Sequence, residues 1–180
     1  MNDSFKDLQD WNRIADNYTK ISDPENDNIY QQFKDVLWDC LGDISGLKVL
    51  DLGCGSGWLS KLMVESGATV HGIDGSSELL KRARDICPQV EFIEHDLSHG
   101  LPEDKMKFDR IVAHMVLMDI PDIDELIKSV RHLIQKNGKF IFTMTHPCFF
   151  NFKSKIDPGT GELSCRVTGY LQPVEWWIDS

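Results

Sequence analysis

A chain of 180 residues with 41% hydrophobic content is long enough for one domain with a real core, and its formal net charge of −10 argues against DNA or long RNA as a partner, which needs clustered Lys and Arg. No run approaches the roughly 18 apolar residues of a membrane-spanning helix, and the polar, acidic start Met-Asn-Asp-Ser-Phe-Lys-Asp is unlike a signal peptide. Five scattered cysteines, Cys40, Cys54, Cys87, Cys148 and Cys165, with no C-x-x-C, read as reduced thiols in a cytoplasmic protein.

Residues 5–20 are expected to form a helix, because Trp11, Ile14 or Ala15, and Tyr18 fall on one face. A second helix is expected over 24–41, with Pro24 in its first turn and Ile29, Phe33, Leu37 and Cys40 or Leu41 as its apolar stripe. Strand and helix then alternate. Strands are expected near 47–51, 69–73, 90–94, 108–113 and 139–145, and helices near 57–66, 76–86 and 121–135. Gly67 is placed to stop the first of these helices, Pro88 follows the second, and Pro121 opens the third. This alternation implies an α/β fold: a Rossmann-like, mostly parallel sheet with right-handed crossovers and helices on both faces. Ligands of such sheets bind beyond the carboxyl ends of the strands. Asp51, Asp74, Asp96 and His114 all lie at those ends and can converge there.

The stretch Val49-Leu50-Asp51-Leu52-Gly53-Cys54-Gly55-Ser56-Gly57 carries the most chemistry. It reads as a buried strand, a Gly-rich turn and a helix N-terminus, which suits a nucleotide or an amino-acid carboxylate. Trp58 stands where a dinucleotide fingerprint needs its third glycine, which disfavours a nicotinamide-dependent oxidoreductase. The second strand ends in Asp74, where a carboxylate can accept hydrogen bonds from both ribose hydroxyls and would repel a 2′-phosphate.

Taken together, D-L-G-C-G-S-G at 51–57, H-G-I-D at 71–74, E-H-D-L at 94–97, F-D-R-I-V-A at 108–113 and G-K-F-I-F at 138–142 resemble the class I S-adenosylmethionine-dependent methyltransferases, over roughly residues 48–146. The resemblance implies that Gly53, Cys54, Gly55 and Gly57 surround the methionyl part of S-adenosylmethionine, with Asp51 near its ammonium. It places Asp74 on the ribose and Gly75 and Ser76 at the adenine edge. Asp96 would accept the adenine amino group beside Leu97, and His114 and Met115 would lie near the sulfonium. Asp74 has a second reading as a helix cap, although Ser76 or Ser77 can fill that role.

Trp11 to Tyr18 resembles the W-x-x-x-A-x-x-Y segment that lies over the cofactor in small-molecule members of this family, with Tyr18 closing the pocket. A core-facing amphipathic helix explains the same spacing. His146, after the fifth strand, faces the acceptor in this fold and can take a proton from it; a structural loop histidine is the other reading. His95 and His99 lie near Asp96 and Asp119 but match no metal motif, and no metal is expected. Residues 1–45 are expected to be a helical cap, 46–146 the cofactor-binding core, and 147–180 an excursion on the substrate side, within a single domain.

The resemblance implies seven strands, of which the last two are not found in the sequence. The expectation is a shortened methyltransferase whose exposed sheet edge favours association with a second copy. The expected activity is in-line methyl transfer to a small-molecule acceptor, and the rival of another class is a non-catalytic cofactor-binding or regulatory protein. A macromolecular acceptor would need a basic patch that the composition lacks.

Overall fold

The computed structural model describes residues 4–21, 28–102, 106–145, 155–156, 159 and 163–164. The chain divides into two compact units, Met1–Met144 and Thr145–Ser180. The first opens with two helices, α1 (Ser4–Ile21) and α2 (Asn28–Leu41). It continues as β1 (Lys48–Leu52), α3 (Trp58–Glu65), β2 (Thr69–Asp74), α4 (Ser77–Ile86), β3 (Glu91–Glu94), β4 (Phe108–His114), α5 (Asp124–Leu133) and β5 (Ile134–Thr143). Short 3-10 turns lie at Leu97–His99 and Leu117–Asp119. In the second unit, β6 (Lys155–Ile156) pairs antiparallel with β7 (Leu163–Ser164) as a sheet of its own.

The five strands of the first unit run parallel in the order β3-β2-β1-β4-β5. The sheet grows from β1 toward β3 and then restarts on the other side with β4. The loops after β1 and β4 therefore part, which opens a crevice at the carboxyl ends of these two central strands. The period of two along each strand splits the core. Val49, Val70 and Val112 face one layer with Leu37 and Leu41 of α2, Leu59 and Met63 of α3, and Leu80 of α4. Leu50, Ile73 and Ile111 face the other, with Leu126, Val130 and Leu133 of α5.

Three expectations are corrected. The buried stripe of α2 is Tyr30, Leu37 and Leu41, whereas Phe33 is 38% exposed and Cys40 is exposed. Leu37 and Leu41 are buried as expected, Tyr30 rather than Phe33 packs inward against Trp58 of α3, and the Ile29 side chain lies outside the described residues. The helix expected over 121–135 starts only at Asp124, where the Asp122 carboxylate takes the Asp124 N–H at 2.9 Å. The last strand begins at Ile134 rather than 139: Ile134 pairs with Phe108 and Lys139 with Arg110, and the intervening Gln135–Gly138 bulge out of register. Pro24 and residues 146–154 lie outside the described residues.

Candidate functional site

At the crevice the backbone is held by its own loop. The N–H groups of Gly53 and Cys54 both donate to the Ile73 carbonyl, at 2.8 and 3.1 Å, which ties the end of β1 to the end of β2. Gly53 has φ +63, and a Cβ there would stand 2.3 Å from Val116 Cγ2. Glycine is therefore required twice over, by the left-handed backbone and by the close approach of the loop after β4.

Asp74 closes this arrangement. Its Oδ2 accepts the Gly55 N–H at 2.7 Å and its Oδ1 accepts the Ser76 N–H at 2.7 Å. The carboxylate is buried, and burial raises its pKa; hydrogen bonds from the backbone of Ser76, Gly55 and Gly75 oppose the rise. Ser76 caps α4 by accepting the Leu79 N–H at 3.2 Å, so the capping role falls to the serine and not to Asp74. Asp51 sits behind the loop, 1% exposed, and accepts the Ser60 hydroxyl at 2.6 Å. Burial pushes its pKa up to about 7; the Ser60 hydrogen bond works against the rise and the Asp74 charge adds to it. Cys54 is pushed up by burial first and then by both carboxylates, which leaves its thiol a poor nucleophile. None of the ion pairs among the described residues involves Asp51 or Asp74. Two carboxyls with no cationic partner make this end of the crevice receptive to a positive charge.

The cleft in front of this loop holds about 690 Å³ of empty space including its open mouth. Of the expected residues, Tyr18, Gly53, Gly55, Asp74, Gly75, Asp96, Leu97, His114 and Met115 line it. Asp51, Cys54 and Ser76 do not; they are buried beneath the loop and support it from behind. His146 lies outside the described residues. Asp96 caps the following 3-10 turn, its Oδ1 accepting the Ser98 N–H at 2.9 Å and hydroxyl at 2.7 Å. His95 Nε2 meets the Gly100 carbonyl at 3.1 Å and His99 is exposed; among the described residues no group of three or more His, Cys, Asp or Glu could hold a metal ion.

Helix α1 supplies one wall through Asp7, Leu8, Trp11 and Tyr18, the last two packed edge to face with ring centroids 5.2 Å apart. Trp11 and Tyr18 thus border the cleft while Ala15 on the same face is buried. On the far side His114 stands edge-on to Trp58 at 5.6 Å and Tyr30 at 6.3 Å, and its Nδ1 is 2.6 Å from the Thr143 hydroxyl. Its neighbour Met115 is the one non-glycine among the described residues with positive φ, +57, held by its N–H donating to the Thr143 carbonyl at 3.0 Å. At the rim, the Asp119 carboxyl is raised to about 6, by burial first and by Asp7 second. Among the described residues no Lys or Arg lines the cleft. Sequence reasoning missed Asp7, Leu8, Tyr30, Thr143 and the 116–121 rim. Each reaches the site through a partner remote in sequence, and no local pattern marks it.

A glycine turn and an acidic strand end, set at the switch point of a β3-β2-β1-β4-β5 parallel sheet, define a Rossmann-like protein built to hold a nucleoside-type ligand. The methyltransferase domain family matches residues 43–162, and the chain belongs to it, as a member of the class I S-adenosylmethionine-dependent group. A ubiquinone biosynthesis O-methyltransferase of Pelagibacter ubique (strain HTCC1062) is 35% identical over 147 residues, covering 79% of this chain and 58% of that protein. Among solved structures, an S-adenosylmethionine-dependent methyltransferase from Mesorhizobium loti superposes with a TM-score of 0.70 at 30% identity, over 78% of this chain and 66% of that one. One from Listeria monocytogenes superposes with a TM-score of 0.63 at 28% identity, over 77% and 65%. The chain spans about half the length of the curated relatives it matches.

Proposed function

We propose that this chain binds S-adenosylmethionine in the cleft and catalyses transfer of its methyl group to a small-molecule acceptor. The observation that carries the reading is the meeting of the Gly53–Gly57 turn, the Asp74 carboxylate and the Trp11/Tyr18 face of α1 around one crevice. The residues fit a cationic nucleoside: among the described residues Asp51 and Asp74 are buried and take part in no ion pair, and no Lys or Arg lines the cleft to repel it. When bound, S-adenosylmethionine supplies a methyl carbon made electrophilic by its positively charged sulfur.

The chain's own residues have three tasks in this proposal. Asp74 holds the ribose, since each carboxylate oxygen keeps a lone pair beyond its present backbone bond. Asp96, Leu97 and Gly75 bound the adenine end, while Gly53 and Gly55 admit the methionyl end; Asp51, Cys54 and Ser76 act from behind, by shape and charge. Tyr18, His114 and Met115 narrow the space in front of the reacting carbon and exclude water. His146, three residues after β5 in sequence, takes the acceptor's proton. Alignment of two reactants in this way contributes on the order of 7–11 kcal/mol, so no nucleophilic residue is required. The name of the Pelagibacter relative supports an oxygen nucleophile on the acceptor.

Calorimetric titration with S-adenosylmethionine and S-adenosylhomocysteine, with NAD as control, tests the reading. Micromolar binding of both sulfur compounds, weakened at least tenfold in Asp74→Ala, is expected. A folded protein that binds neither would overturn it, and binding without turnover across hydroxyl acceptors would leave a cofactor-binding protein rather than an enzyme.

A further inference from the structure

We propose that Asn12 is a positioning residue for ligand binding: it docks α1 over the cleft by gripping the same turn that aims Asp74. This rests on the S-adenosylmethionine reading. Asn12 Oδ1 accepts the Ser76 hydroxyl at 2.7 Å and the Glu78 N–H at 3.2 Å, across more than sixty residues of sequence. A backbone N–H can only donate, so the atom that Asn12 presents is its oxygen. Glu78 N–H is one of the unpaired donors at the start of α4, and Asn12 satisfies it from another helix.

Ser76 makes the grip consequential. Its hydroxyl donates to Asn12 while its own N–H donates to Asp74 Oδ1 at 2.7 Å. One residue therefore links the position of α1 to the orientation of the carboxylate beneath it. One turn away, Leu8 fills the space that a Gly75 side chain would need: a Cβ there would stand 2.3 Å from Leu8 Cδ2. A further tie between α1 and α4, the exposed Asp16–Arg82 ion pair, is of a kind that contributes little. A ligand held between Asp74 and the Trp11/Tyr18 face must stabilise the docked helix, and by reciprocity the docked helix must tighten the ligand.

The test combines amide hydrogen exchange of α1 with titration of S-adenosylhomocysteine, in the full chain. In the parent protein the ligand slows exchange in residues 4–21. Asn12→Leu keeps the volume and removes the acceptor. It is expected to speed α1 exchange and to weaken binding, each about tenfold, the scale of a lost buried acceptor. Asn12→Asp keeps an acceptor facing a positive helix end and is expected to stay within about twofold of the parent in both readouts. The proposal is overturned if Asn12→Leu matches the parent, or if Asn12→Asp is as impaired as Asn12→Leu, since the side chain's fit and not its hydrogen bonds would then matter. If Asn12→Leu also speeds exchange in the sheet strands, Asn12→Ala replaces it under the same criteria. A parent protein that binds no ligand refutes the cofactor reading, and the exchange comparison alone then decides the grip.

Discussion

Replacing Asp51 by Asn removes a titrating carboxyl while keeping its shape and an oxygen for the Ser60 hydroxyl. In the folded chain this carboxyl holds its proton up to about pH 7, against an ordinary 3.8. Between these values the folded state binds one more proton than the unfolded state, so stability falls as pH rises. The slope is about 1.4 kcal/mol per pH unit, giving about 4 kcal/mol over the whole window and about 2 kcal/mol between pH 5 and pH 7, where the folded carboxyl is half ionised. Above pH 7 both states are ionised and the loss levels off. The amide introduced by Asp51→Asn has no such proton to lose. Urea unfolding of both proteins at pH 5, 6, 7 and 8 is therefore expected to show the stability difference moving by about 3 kcal/mol in favour of Asp51→Asn, with most of the change complete by pH 7. Asp74 and Asp119, which also titrate high, are present in both proteins and largely cancel in the difference. Parallel stability curves would show that the Asp51 carboxyl ionises normally, and the picture of an uncompensated buried charge behind the glycine loop would fall.

Gly53→Ala forces a side chain into a left-handed backbone and into Val116, and is expected to cost about 3 kcal/mol or more in chemical unfolding and to abolish S-adenosylhomocysteine binding. Gly42→Ala is the control: its φ is +67 with nothing within 4 Å of the added Cβ, so only the backbone cost of about 1–2 kcal/mol is expected, with binding intact. Equal costs for the two would show that the loop after β4 yields freely. His146→Gln is expected to lower turnover about a hundredfold while leaving cofactor affinity unchanged, as for a lost general base; unchanged turnover in a steady-state assay would dispose of its proton-transfer role.

Much of the lining of the cleft is legible in the sequence. Gly53, Gly55, Asp74, Asp96 and His114 are marked by their places at strand ends, and strand ends follow from local hydrophobic period and turn chemistry. For Ser76 both a helix cap and a place at the adenine edge are legible in the sequence, because a serine before a helix suits either task, and the structure shows the cap. The α2 stripe departs from expectation at Phe33 for a similar reason. Both Phe33 and Tyr30 can be buried at helical spacing, and Trp58 of another element selects Tyr30. The bulge at Gln135–Gly138 was missed because its cause is a register with β4 nearly thirty residues earlier.

The amino-acid sequence by itself determined the alternation of strands and helices, the glycine turn and the carboxylates at the strand ends, since these depend on backbone preference and periodicity within a few residues. Tertiary structure alone decided which of those groups face the cleft, that Asp51 is buried with no ion pair among the described residues, that α1 closes one wall, and that Asn12 meets Ser76. Each of these is set by the distance between side chains far apart in the chain and by the water excluded between them, and neither quantity exists until the sheet has formed.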